Sequence, residues 1–162
     1  MCYISAMRKL LVILLTALAA VTLLVTPVWA SSSGPTVIGT GTLGAFGDPT
    51  VRVFAYELPA GAQGSFFLAY PDKTTVLGNA TCLSVTGTTA YLTARITTAT
   101  GPRAQANGWS VGNYMIIGIQ DNSGTPDLLN FSPGFTANPG CGPNFAATPV
   151  FPIVTGSFRV SG

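Results

Sequence analysis

The chain has 162 residues, of which only 7% are charged, and it contains no histidine. Without histidine there is no Ser-His-Asp or Cys-His nucleophile, no histidine-bound metal, and no use of the commonest acid–base group near neutrality. The formal net charge of +2 rests on Arg8 and Lys9; beyond them Arg52, Lys73, Arg95, Arg103 and Arg159 balance Asp48, Glu57, Asp72, Asp121 and Asp127, which leaves no electrostatic footprint for nucleic acid and no polybasic segment for anionic membranes.

Residues 1–30 have the three parts of a secretory signal peptide. Arg8 and Lys9 make a positive start, Leu10 to Val25 is an uncharged apolar stretch, and Pro27 breaks it. Val28-Trp29-Ala30 then offers small or β-branched residues before a cleavage point, so the mature chain is expected to begin at Ser31. An uncleaved membrane anchor is the alternative, because Leu10 to Ala30 is long enough to span a bilayer. Pro27 and the Ser31-Ser32-Ser33-Gly34-Pro35 spacer favour cleavage. No Cys follows the apolar run, which argues against a lipoprotein, and Met7-Arg8-Lys9-Leu10 reads as a natural start in its own right. The expected organisation is a signal peptide over 1–30, a Ser/Gly/Pro spacer over 31–38, and a single β domain over 39–162 in a secreted or extracytoplasmic compartment. Removal of the signal leaves no membrane segment.

The mature region lacks helical periodicity. Gly, Pro and Thr punctuate it about every eight to twelve residues, the spacing of short strands in a barrel or sandwich. Strands are expected over Gly39–Phe46, Val51–Leu58, Gly64–Tyr70, Ala80–Thr86, Ala90–Thr97, Asn113–Gln120 and Gly156–Val160. Within them Ala90, Leu92, Ala94 and Ile96 alternate with Tyr91, Thr93, Arg95 and Thr97, which describes a strand apolar on one face only. From Asn113 to Gln120 both alternate sets are largely apolar, so that strand is expected to be covered on both faces. Gly87 should supply the positive φ of a two-residue hairpin, and Leu58-Pro59-Ala60-Gly61 and Tyr70-Pro71-Asp72-Lys73 mark further turns. Thr100 to Gly112 reads as a polar loop, and 121–155 as a long proline-rich irregular region. The fold class is therefore all-β: an antiparallel meander of about seven or eight strands, preferably a small barrel because closure removes exposed edges, with a β-sandwich as the alternative.

With Cys2 in the discarded segment, Cys82 and Cys141 remain as a pair, and in an oxidising compartment a disulfide is expected. It would close a loop of about sixty residues, contribute roughly 4 kcal/mol in the chain-entropy account, and pin the 121–155 region to a strand. Two thiols without histidine are too few for zinc; two buried free thiols are the other reading.

The stretch from Thr81-Cys82-Leu83-Ser84-Val85-Thr86-Gly87-Thr88-Thr89-Ala90, followed by Gln120-Asp121-Asn122-Ser123-Gly124-Thr125-Pro126-Asp127, resembles a group of secreted bacterial β-domain proteins of unknown function. Their pattern is C-L-x-V-x-G-N-x-A followed by D-N-G-x-P-x-x-x-D. The Gly39-Thr40-Gly41-Thr42-Leu43-Gly44 start and the Gly156-Ser157-Phe158-Arg159-Val160 end are similar too, so the resemblance spans nearly the whole mature chain. Here Thr88 stands where the group has Asn, and Ser123 interrupts Asn-Gly. The resemblance implies secretion and a β-domain, and brings no activity with it.

The remaining chemistry is sparse. Glu57 stands in an otherwise apolar strand, where burial would suit a general acid, yet beside Leu58 and Pro59 a solvated glutamate is ordinary; no catalytic residue is assigned. Asp121, Asn122 and Asp127 concentrate oxygen ligands after a strand and form a weak calcium candidate, with turn capping the favoured reading; no other metal and no cofactor is expected. Tyr56, Phe66, Phe67, Tyr70, Tyr91, Trp109 and Tyr114 sit in or near strands and loops where some could line a barrel mouth or stack on a sugar, although most such residues are simply core; Trp109, Tyr114, Tyr91 and Tyr56 are the candidates taken forward. Trp109 stands out because its Gly-flanked polar loop gives packing no obvious reason for it. The sequons Asn79-Ala80-Thr81 and Asn130-Phe131-Ser132 would matter in a eukaryotic secretory route, but a composition rich in Gly, Ala, Thr and Pro points to a bacterial source. The sequence therefore suggests a non-catalytic extracellular module for binding or surface structure, whose partner is an unidentified extracellular ligand or cell-surface component. The alternative is a small-ligand barrel, either a carrier or a histidine-free isomerase or cyclase. An internal cavity of about 300 Å3 or more would favour the alternative, a filled interior the first reading.

Overall fold

The computed structural model describes residues 34–162. The signal peptide expected over 1–30, its cleavage point and Cys2 lie outside the described residues. In chain order the strands are β1 (Thr36–Leu43), β2 (Thr50–Leu58), β3 (Gly61–Ala69), β4 (Thr75–Thr86), β5 (Thr89–Thr100), β6 (Tyr114–Gln120), β7 (Leu128–Phe131) and β8 (Phe151–Ser161). Each runs antiparallel to the next, and β8 pairs with β1, so the meander closes as a barrel rather than folding as a sandwich. A one-turn helix α1 (Pro102–Ala106), begun by a proline whose missing N–H costs nothing there, sits within the loop after β5.

Several boundaries differ from the sequence reading: β1 ends at Leu43, β3 starts at Gly61 and β5 runs on to Thr100. β1 starts inside the expected spacer, at Thr36; β4 starts at Thr75; and the region 121–155 contains β7 and the start of β8. Leu128-Leu129-Asn130-Phe131 is too short to show alternation and lies between Pro126 and Pro133, which masked it as a strand.

Alternation fills the barrel. Ala90, Leu92, Ala94 and Ile96 of β5 face inward and are buried, together with Met115, Ile117 and Ile119 of β6 and Val51, Val53 and Ala55 of β2. Two inward phenylalanines occupy space that glycines leave open across the ladder: Phe158 opposite Gly39, and Phe66 opposite Gly78. A Cβ on either glycine would collide with the facing ring. Large and small residues thus interdigitate, as in small barrels generally.

β6 is covered on its outer face as well. The segment 132–150 crosses it, burying Ile116 to 2% exposure and passing so close to Gly118 that a Cβ there would collide with the Ala147 carbonyl. The segment continues over β5, where Thr93 Oγ1 donates to the Gly140 carbonyl at 2.7 Å. It ends its crossing at β4, where the Cys82–Cys141 disulfide joins Cα atoms 5.4 Å apart. Cys82 lies at an irregularity in the β4–β5 register.

Alternate connections of the meander share an end of the barrel. One of these, the tight end, carries the two-residue turns Pro59-Ala60 and Gly87-Thr88 together with the connection 121–127. Gly87 has φ 59° at the first position of its hairpin, as expected. The other end carries 44–49, 70–74, 101–113 and 132–150. Function in β-barrels is usually borne by such loops.

Closure at the β7–β8 seam needs help, because the strands pair only at Leu128↔Pro152 and Leu129↔Phe151. Beyond that the Asp127 carbonyl accepts the Ile153 N–H at 2.8 Å. Its carboxylate Oδ2 accepts the Phe158 N–H at 2.6 Å, and Asp121 Oδ2 accepts the Val160 N–H at 3.0 Å. Two carboxylates thus replace the missing part of a ladder.

Candidate functional site

All four connections at the end opposite the tight one contribute to one basin of about 420 Å3 at the mouth of the barrel. Phe46 comes from the β1–β2 loop, Tyr70 from the β3–β4 loop, Arg103, Asn107 and Trp109 from the β5–β6 loop. Phe131, Ser132, Pro133, Ala146 and Phe151 complete it from the ends of β7 and β8 and the segment between them.

Aromatic contacts run through the basin. Tyr70 and Trp109 are stacked with centroids 6.3 Å apart, and Trp109 meets Phe131 edge-on at 5.7 Å. Phe46 lies 5.7 Å from Phe131 and 4.6 Å from Phe151, inclined by 51° and 70°. Trp109 is 3% exposed and forms the floor, its Nε1–H donating to the Ser132 carbonyl at 3.0 Å. Packing therefore does explain Trp109, contrary to the sequence reading: α1 and the turn after it, where the Trp109 N–H donates to the Ala104 carbonyl at 2.8 Å, fold the indole back under the loops. Phe46 is its opposite. It remains 46% exposed at φ 58°, a left-handed conformation uncommon for a bulky residue. Strain of this kind persists where neighbours over-determine it, often at ligand sites.

Arg103 holds the rim. Its Nε–H donates to Asp72 Oδ2 at 2.6 Å, its Nη1–H donates to the Phe46 carbonyl at 3.0 Å, and its guanidinium lies 4.8 Å from the centre of the Tyr70 ring. The Thr74 backbone N–H holds the Asp72 carboxyl below its usual range, with Arg103 acting in the same direction. Burial pushes the Tyr70 phenol up to about 12; Arg103 opposes this and Asp72 adds to it. Arg103 is the one charged residue among those lining the basin, and it is paired with Asp72.

Of the aromatic residues considered from the sequence, Trp109 and Tyr70 reach the basin, Phe66 is buried in the barrel, and Tyr114, Tyr91 and Tyr56 do not reach it. Tyr114 opens β6 and bridges to Phe135. Tyr91 sits on the outer face of β5, opposite Gly118 of β6, and Tyr56 lies on the outside of β2 with its ring 5.5 Å from that of Phe54. Alternation explains this: each is in the outward set of its strand. Phe46, Arg103, Phe131 and Phe151 are basin residues that sequence reasoning does not propose. Their shared signal is position, since each flanks or occupies a connection at the same end.

Asp121, Asn122 and Asp127 line a separate outer groove of about 570 Å3 with Arg159 and Ser157. Besides the β8 bonds, Asp127 Oδ1 accepts the Asn122 N–H at 2.9 Å and Asn122 Nδ2 donates to the Pro126 carbonyl at 3.1 Å. These groups cap a turn and close a seam. Among the described residues no cluster of three or more His, Cys, Asp or Glu is placed to hold a metal ion. Glu57 continues the inward series of β2 at the tight end, away from the basin, and its buried Oε2 has no hydrogen-bond partner among the described residues. The sequence matches no protein-family model, and no curated protein or solved structure shows significant similarity to it.

Proposed function

We propose that this chain is an exported, non-catalytic binding module that takes a small ligand in the aromatic basin at the barrel mouth. The observation that carries this reading is convergence: four separate loops bring five rings to one opening, and one of them, Phe46, is held exposed on a strained backbone. The filled interior supports a module over a carrier or cyclase, since the ligand would sit on the barrel rather than inside it. No carboxylate lines the basin and the chain has no histidine, which favours binding over acid–base catalysis. The exposed Cys82–Cys141 bond suits an oxidising, extracytoplasmic compartment.

Small-molecule screening by calorimetry on the oxidised protein tests the reading. Saturable binding that is weakened by Phe46→Ala and unchanged by Phe54→Ala, on the outer wall, is expected. Binding indifferent to Phe46→Ala would place the site elsewhere.

A further inference from the structure

We infer that the ligand of the mouth basin is a small, planar, uncharged aromatic compound with few polar groups, rather than a sugar or an organic cation. The inference rests on the mouth being the binding site, and it follows from what the basin's polar groups are already doing. Asn130 Nδ2 donates to the Thr148 carbonyl at 3.1 Å, and Asn130 Oδ1 accepts the Phe131 N–H at 2.8 Å. Asn107 Nδ2 donates to the Arg103 carbonyl at 2.9 Å. Ser132 Oγ donates to the Pro133 carbonyl at 2.8 Å while accepting the Ile116 N–H at 3.0 Å. The indole N–H of Trp109 and two guanidinium N–H groups of Arg103 are engaged as described. A sugar entering here would lose water at each hydroxyl and find few replacements, and every unmatched polar group counts against binding.

Ring geometry argues the same way. Phe46 is inclined to Phe131 and Phe151 by 51° and 70°, whereas Tyr70 and Trp109 stack at 25°. A planar aromatic guest can add to both sets, edge to face in the first and offset-stacked in the second, the two arrangements aromatic pairs prefer. A cation would compete with Arg103, whose guanidinium already lies over the Tyr70 face. An anion would meet a guanidinium whose charge Asp72 already balances. What remains for orientation is the Tyr70 hydroxyl, which makes no hydrogen bond among the described residues, together with the unengaged positions of the Asn107 and Asn130 amides and of the Arg103 guanidinium.

Calorimetric titration of the oxidised protein with indole, p-cresol, cellobiose, tetramethylammonium and benzoate decides the matter. Indole or p-cresol should bind at least about tenfold more tightly than the others, and Phe46→Ala should weaken that binding about tenfold, as expected for loss of an edge-to-face contact and its buried area. Tyr70→Phe should reduce p-cresol binding while leaving the fold intact. If cellobiose, tetramethylammonium or benzoate binds as tightly and depends on Phe46, the inference about ligand class falls and the mouth stands as the site. If no probe binds, or binding ignores both Phe46→Ala and Phe151→Ala, the inference and the assignment of the mouth fall together.

Discussion

Asp127 serves Phe158 as a strand neighbour would: its Oδ2 accepts the Phe158 N–H at 2.6 Å across the seam where β7 has already ended. Asp127 is 7% exposed and also accepts the Asn122 N–H, so removing its carboxylate orphans two backbone donors. Asp127→Ala should cost about 3 kcal/mol in urea unfolding. Asp121→Ala, which releases only the Val160 N–H, should cost about 1 kcal/mol. Equal, small losses for both would mean that the seam is closed by packing alone.

A methyl group at position 118 should be badly tolerated. Gly118→Ala places a Cβ against the Ala147 carbonyl, and backbone cannot swing aside as a side chain can. A loss of about 2 kcal/mol or more is expected, with fast hydrogen exchange confined to 144–149. Wild-type stability for this variant would show that the crossing segment does not press on β6.

Reduction of Cys82–Cys141 should lower stability by up to about 4 kcal/mol. The loosening should be uneven. Near the start of the crossing, the Gly134 N–H donates to the Asn107 carbonyl and Phe135 bridges Tyr114; at its far end Thr148 receives Asn130. Between them 136–143 is held to the barrel by the disulfide and the Thr93–Gly140 hydrogen bond, so exchange should rise there first on reduction while the basin persists. Thiol counting on unfolded, unreduced protein, with thermal melts with and without reductant, checks this; two reactive thiols or an unchanged melt would contradict it.

Alkaline titration should single out Tyr70. Its phenol is raised from 10.0 to about 12, so the folded state favours the neutral form. The stabilisation is complete below pH of about 10 and is lost as pH rises toward about 12. Phenolate absorbance should show one late-ionising tyrosine, absent in Tyr70→Phe. Asp72 works in the opposite sense: its lowered carboxyl keeps the Arg103 pair intact on mild acidification, and the pair is lost only as pH falls through that lowered value.

The barrel was legible because alternation in β5 and two-sided apolarity in β6 translate directly into inward and outward faces. The mouth was not, and the reason is parity. In a meander, alternate connections share an end. Overlooking the four residues of β7 merges two connections into one and puts Phe131 and Phe151 on no particular end. Phe46 was hidden for another reason: its left-handed φ cannot be inferred from Ala45-Phe46-Gly47, where glycine is the natural candidate for that role. Arg103 was visible as a charge in a polar loop, but its partners Asp72 and Phe46 are distant in sequence and meet only when the barrel closes.

Drawing the basin from loops at one end of the barrel divides the molecule's evolutionary liabilities. Phe46 can drift without disturbing the packed interior, whereas Trp109 cannot, because the same indole is both basin floor and core. New specificities would therefore be reached most readily through the β1–β2 loop, and a directed-evolution library confined to 44–49 should retain far more folded members than one of equal size spread over 101–113.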